Sequence, residues 1–241
     1  MGDRATPARP CPPGDRREVR FGGTWSRGGT PSCAHRFGSR LRGPRRTGVG
    51  GVVTTPAPQP LRLVEEFVNT HHVHPHRDDD DLEGLHTPDE LKSWLVEREL
   101  VGADEPVHAA DLTYAIETRE ALRRLLLTNG GAQPDEQAVE TVNRAATRGQ
   151  LTLRFDVDGG SGLKPIARGV DGAIGTILAV AFAAMAEGSW SRLKVCPEET
   201  CRVAFFDHSK NRSRRWCSME VCGNRTKVRS YRQRQLETAA E

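Results

Sequence analysis

Apolar residues recur at helical spacing in four stretches of the first two thirds of the chain. Leu91, Trp94 and Leu95 show this spacing in the second stretch. Thr87 can cap that helix, and Pro88 suits its first position, because a proline lacks the N–H that would otherwise stay unpaired there. We therefore predict four helices, over residues 61–68, 87–100, 111–129 and 134–148.

The pattern then changes from helical spacing to strict alternation. Residues 151–157 alternate apolar and polar positions, which predicts a strand with one buried face. Residues 158–160 predict a turn, and residues 163–167 predict its hairpin partner, an edge strand because of Pro165. Residues 174–186 are apolar on every side and predict a central buried helix. The predicted fold class is α+β, mainly α, with one small β-hairpin.

Four of the six cysteines form two closely spaced pairs near the C-terminus, Cys196 with Cys201 and Cys217 with Cys222. Each pair can supply two ligands from one tight turn, so the spacing predicts one structural Zn²⁺ held by four thiolates. Two disulfides or an iron–sulfur cluster are the alternatives. No secretory signal is evident upstream, which favours a cytoplasmic location where thiols stay reduced.

Residues 221–235 predict a helix, and no acidic residue lies between Cys222 and Leu236. Asn224, Val228, Tyr231 and Gln235 fall on one stripe, which we expect to pack against the cysteine turns. Such a one-signed helix favours a polyanionic partner, although an ordinary basic surface helix remains open. The candidate nucleic-acid contacts on this helix and the preceding loop are Arg212, Arg214, Arg215, Arg225, Lys227, Arg229, Arg232 and Arg234.

Four runs of this region resemble the CGNR zinc finger, namely residues 190–196, 204–211, 215–219 and the tetrapeptide Cys-Gly-Asn-Arg at 222–225. In that family an α-rich domain called ABATE precedes the finger, and Phe-Val-Asn-Thr at 67–70 looks like its start. The resemblance implies a regulator of stress-induced transcription. It divides the chain into an extension over residues 1–60, an ABATE-like domain over 61–188 and a finger over 189–241.

Composition adds limits to this picture. Residues 1–60 are rich in Gly, Pro, Arg and Ser, which predicts disorder; a start codon further downstream is an alternative for this extension. No stretch of about eighteen apolar residues is evident, so we expect no membrane span. Residues 71–76 hold four histidines before an aspartate run, and a polar loop or a second metal site fits them.

The leading hypothesis is a DNA-binding transcription regulator whose helical domain senses a small-molecule effector or forms a homodimer. The alternative is a zinc-stabilised module that is structural, docks a protein or binds RNA. We expect no enzyme, because the sequence shows no nucleophile–base pair, phosphate loop or dinucleotide motif. The identity of the effector and the DNA sequence stay open.

Overall fold

The computed structural model describes residues 55–71 and 83–239. This part of the chain is mainly helical, which confirms the predicted fold class, and it has two small antiparallel hairpins where one was predicted. The helices are α1 (Arg62–Val68), α2 (Pro88–Glu97), α3 (Ala109–Thr128), α4 (Glu136–Arg148), α5 (Gly169–Ala186) and α6 (Asn224–Ala239). The strands are β1 (Leu151–Phe155), β2 (Ser161–Pro165), β3 (Leu193–Val195) and β4 (Ala204–Phe206).

Helix starts follow the capping residues that the sequence offers. The Thr87 hydroxyl accepts a hydrogen bond from the Glu90 amide at 3.2 Å, and the Glu90 carboxylate accepts one from the Thr87 amide at 2.9 Å. Helix α3 begins two residues before the predicted Asp111, because the Asp111 carboxylate accepts from the His108 amide at 2.8 Å. Asp111 is therefore the third residue of the helix instead of the first.

The hairpin β1–β2 is shorter than predicted. The Asp156 amide donates to the Gly160 carbonyl at 2.8 Å, so the turn starts there and β1 ends at Phe155. The partner strand accordingly begins at Ser161, two residues before the predicted start, with Leu153 opposite Leu163. Its end packs on α5, where a Cβ added to Gly175 would lie 2.9 Å from the Pro165 Cβ.

Helix α5 begins at Gly169, five residues before the predicted start, and only one face of the predicted buried helix lies in the main core, through Ile174, Ile177 and Ala181. Among the described residues it is the helix whose length and composition would suffice to cross a bilayer. Half of it is buried inside the protein, as in the core helix of a globular domain. This observation alone is weak evidence for a membrane span.

The predicted N-terminal extension is described only from Thr55 onward, and residues 1–54 lie outside the described residues. Residues 55–60 differ from the predicted disorder. Ala57 is buried, and its amide donates to the Glu65 carboxylate at 2.6 Å. This contact satisfies a carboxylate that is itself buried on α1, and burial raises the pKa of Glu65.

Residues 72–82 also lie outside the described residues, so the prediction for the histidine tract stays untested apart from His71.

Two buried arginines on α3 bind other segments of the chain. Arg119 binds within the helical domain, and Arg123 also binds the chain after β3. Arg119 is 1% exposed and binds the Glu83 carboxylate through both terminal nitrogens, at 2.5 and 2.6 Å. Although burial by itself would raise the pKa of Glu83, the Arg119 guanidinium holds it below its usual value. Arg123 donates to the carbonyls of Val68 at 2.6 Å and of Arg202 at 2.7 Å.

The second hairpin, β3–β4, is held directly by the helices. Leu193, Val195, Ala204 and Phe206 belong to the same hydrophobic core as α1, α3 and α5. The Asn69 side chain binds Ala204 in both directions, donating to its carbonyl at 2.9 Å and accepting from its amide at 2.8 Å. The cysteine-bearing region therefore shares the core of the helical region.

We predict that Asn69→Ala loosens this attachment. The change leaves the Ala204 amide and carbonyl without their partners, which should cost about 1–3 kcal/mol of unfolding free energy. Hydrogen exchange should show faster exchange of the amides of residues 204–206. Asn143→Ala, on the exposed side of α4, is the matched control and should leave these amides unchanged. Unchanged exchange in Asn69→Ala would contradict the proposed attachment.

Candidate metal centre and basic surface

Four buried cysteines converge at one point beside β3 and β4. Their sulfurs all lie within 4.8 Å of one another, with 3.5 Å between the Sγ atoms of Cys201 and Cys217. None of the four forms a disulfide. Four sulfurs at this separation fit a tetrahedral Zn²⁺ site, with Cys196, Cys201, Cys217 and Cys222 as the ligands. The cofactor predicted from the spacing is confirmed.

A tight turn brings the first pair together. The amides of Cys201 and Arg202 both donate to the Glu198 carbonyl, at 2.9 and 3.1 Å, and Arg202 has a positive φ of 51°. The chain then returns beside its own start, because the Cys196 amide donates to the Val203 carbonyl at 2.9 Å. The turn thus places two sulfurs on the same side.

In the second pair Cys217 precedes a π-helical turn, Met219–Gly223, and Cys222 lies within this turn, which leads into α6. The Ser218 hydroxyl accepts from the Val221 amide at 3.3 Å and caps this turn. A Cβ added to Gly223 would contact the Met219 sulfur, so a larger residue there would displace the exposed Met219 side chain. The Arg214 guanidinium donates to the Cys217 carbonyl and fixes the preceding loop.

The four thiols cannot ionise independently. A hydrogen bond from the Cys201 thiol, and a smaller contribution from the Cys217 thiol, lower the pKa of Cys196. The hydrogen bond with Cys196 conversely raises the pKa of Cys217. A divalent cation removes this conflict, because it stabilises all four thiolates at once.

A buried lysine shapes the loop between the two cysteine pairs. Lys194 is 6% exposed, and its ammonium donates to Asp207 at 2.8 Å and to the carbonyls of Arg212 and Arg214 at 2.6 and 3.1 Å. Asp207 is fully buried and also accepts from the amides of Ser209 and Arg214, both at 2.9 Å. Although burial would raise it, the Lys194 ammonium lowers the pKa of Asp207 to about 2.

The attachment of α6 differs from the prediction. Glu198, in the first cysteine turn, is 3% exposed and accepts from Arg229 at 2.6 Å and from the Thr226 hydroxyl at 3.2 Å. These bonds turn the Thr226 side of α6 toward the cysteine turns. The predicted packing stripe is therefore wrong: Val228 and Tyr231 are 49% and 58% exposed. The sequence pattern did not show that a buried carboxylate from another segment sets the rotation of the helix.

The eight candidate cations lie in this region but do not share one environment. Arg229 binds the buried Glu198 carboxylate, and Arg214 donates to the Trp216 and Cys217 carbonyls. Arg225 is half-buried and donates to Thr200 at 3.3 Å. The remaining five are exposed, as Arg229 is, and they are Arg212, Arg215, Lys227, Arg232 and Arg234. Arg212 also donates to the Ser191 hydroxyl at 3.3 Å, and Arg234 donates to the Ser230 carbonyl at 3.2 Å.

The fold and the cysteine site define a zinc-finger protein with an α-rich domain ahead of the finger. Residues 61–188 match the family model ABATE, described as "Putative stress-induced transcription regulator", and residues 192–235 match the family model zf-CGNR, described as "CGNR zinc finger". The ABATE match covers more than half of the chain, so the chain belongs to this family. Comparison with curated proteins gives no match.

We predict that Cys217→Ser abolishes stoichiometric zinc binding. Structural zinc supplies roughly 10–16 kcal/mol in small fingers, so the cysteine turns and α6 should lose amide protection. The helices α3 and α5 should stay protected, because their core is formed without the cysteines. Metal analysis and hydrogen exchange test this, and Cys33→Ser, which changes a cysteine outside the two pairs, is the control that keeps its zinc. A fully protected finger without metal would contradict the site.

We also predict that Lys194→Met destabilises the protein by about 3–5 kcal/mol, because it leaves the Asp207 carboxylate buried without its cation. Lys164→Met is the matched control. It breaks an ion pair of similar length, 2.6 Å to Asp156, whose side chains are about half exposed, and should cost only about 0–1 kcal/mol. Urea unfolding measures both. Equal losses of unfolding free energy in the two variants would show that the buried ion pair does not stabilise the protein more than the exposed one.

Proposed function

We propose that this protein is a DNA-binding transcription regulator whose zinc finger engages the duplex through α6 and the loop at residues 209–215. The observation that carries the proposal is the exposed cationic surface of α6, which the zinc site holds in a fixed position. Each phosphate that such a surface neutralises releases condensed counterions, so a polyanion is the favoured partner. The family description as a transcription regulator supports the same reading.

The dimensions of α6 suit a duplex. Its 16 residues correspond to roughly 24 Å of helix, and the major groove of B-DNA, about 12 Å wide, admits an α-helix. Arg232 lies on one side of the exposed stripe, and Lys227 and Arg234 lie on the other. Cations on both sides can reach the phosphates of both strands that border the groove.

We also propose that the helical domain senses a signal and passes it to the finger. An open surface pocket of about 440 Å³ is lined by Glu65, Asn69 and Trp94, among others, and this volume is within the range of small-molecule sites. Asn69 also binds the backbone of β4. A ligand that moves α1 would therefore act on the finger directly.

Dimerisation is the other role proposed for the helical domain. Phe182 and Met185 are about half exposed on α5 and support it. A cytoplasmic location stays a prediction.

We propose that the chain acts by binding and not by catalysis. Four cysteines complete a tetrahedral zinc shell, and a catalytic zinc keeps an open position for water or substrate. A structural, protein-docking or RNA-binding finger remains the alternative function. It would not show the steep response to salt that is expected with duplex DNA.

We predict that replacing both Arg232 and Arg234 with Gln weakens binding to a duplex of about twenty base pairs. Loss of two phosphate contacts should lower the slope of log affinity against log salt by about 2, which is roughly 10–100-fold at 0.1 M salt. Fluorescence anisotropy at several salt concentrations measures this. Zinc content should not change, because both side chains are exposed.

The matched control for this experiment replaces Arg144 and Arg154, which are exposed on the helical domain, with Gln. It removes the same amount of positive charge from residues that are far from α6 in the sequence. The control should keep the affinity and slope of the parent protein. Equal losses in both variants, or binding that is insensitive to salt, would contradict the proposed surface.

A further inference from the structure

The side of α6 that faces away from the cysteine turns carries a distinct set of side chains. Asn224, Val228, Tyr231 and Gln235 repeat at spacings of four, three and four, which places them in one line along the helix. All four are exposed, and we call them the α6 stripe. It consists of two amides, one branched aliphatic residue and one tyrosine, with no charge.

The charges beside the α6 stripe limit what can cover it. Arg232 borders one side, Lys227 and Arg234 border the other, and the first acidic residue of the helix is Glu237. Two copies packed through this stripe would bring like charges together, which is unfavourable. Its apolar part is also small, since it consists of Val228 and Tyr231. A polyanion that also offers hydrogen-bonding groups between its charged edges fits this arrangement.

The major groove of DNA has this form, with phosphates along both edges and base edges between them. Asn and Gln amides make paired hydrogen bonds with N6 and N7 of adenine, and an aliphatic side chain can contact the methyl group of thymine. We propose that the α6 stripe reads base edges in the major groove and prefers A·T pairs, through Asn224, Val228 and Gln235. This inference rests on the proposed DNA binding and adds its specificity.

The helix geometry sets the length of the expected site. Asn224 and Gln235 are eleven residues apart, which corresponds to roughly 16 Å along the helix axis. With base pairs about 3.4 Å apart, the two amides reach bases separated by at most about five steps. Val228 lies between them, so we expect a thymine methyl contact inside this interval. Tyr231 can donate its hydroxyl proton to a phosphate or a base edge.

The test begins with selection of bound sequences from random duplexes, using the full chain loaded with zinc. On the selected duplex, Gln235→Ala should lower the ratio of specific to non-specific affinity roughly ten-fold or more. The salt slope should stay unchanged, because no phosphate contact is lost. Ser230→Ala, on the opposite side of α6, is the matched control and should keep the ratio.

Asn224→Ala is the second variant, and its zinc content must be measured because the Asn224 amide also donates to the Glu220 carbonyl at 3.2 Å. Substituted bases in the duplex probe the same contacts on the DNA side. Replacing adenine by 7-deazaadenine should weaken DNA binding by the parent protein but not by the alanine variant that already lacks the matching contact. Replacing the contacted thymine by uracil should weaken binding about four-fold, the effect of one buried methyl group, and should not affect Val228→Ala.

The outcomes separate this inference from the proposed function. Salt-dependent duplex binding without any sequence preference would overturn the base-reading role and leave the DNA-binding proposal standing. A sequence preference that is retained by both Gln235→Ala and Asn224→Ala would also overturn the base-reading role. Absence of salt-dependent duplex binding would overturn both proposals.

Discussion

The geometry of four buried sulfurs is the constraint on which the C-terminal region depends. Thiolates within 4.8 Å of one another repel, so they can all ionise only around a cation. The two turns that carry them are short and contain few aliphatic side chains, and α6 is exposed along most of its length. Packing alone therefore cannot hold this helix in place. The metal fixes the turn from which α6 starts, and the Glu198 carboxylate then sets the rotation of the helix through Arg229 and Thr226.

The inner half of the finger depends on the helical domain. Phe206 and the other core residues of β3 and β4 are buried against α1, α3 and α5, while Asn69 and Arg123 bind the backbone at Ala204 and Arg202. The same short hairpin thus contacts the main core on one side and the cysteine turns on the other. The two family regions consequently share a physical connection, and a displacement of α1 would be transmitted to β4 and then to the first pair of ligands.

Patterns that arise within one segment could be predicted from the sequence. Helical spacing and the Thr87 cap located α2, and the cysteine spacing located the metal ligands, since each pair acts within its own turn. Features that depend on a distant segment could not be predicted. The buried Lys194 required Asp207, thirteen residues later, and the rotation of α6 required Glu198.

The orientation of α6 changes how its positive charge should be interpreted. Counted from the sequence, eight cations are equivalent candidates for DNA contact. In the structure Arg229 neutralises a buried carboxylate and Arg214 binds two carbonyls, so removing either would disturb the finger before it disturbed any binding surface. Because Glu198 engages the opposite side of the helix, the uncharged α6 stripe is left exposed between the remaining cations. A charged helix that presents two amides on the side facing away from the cysteine turns is better suited to reading bases than to contacting phosphates alone.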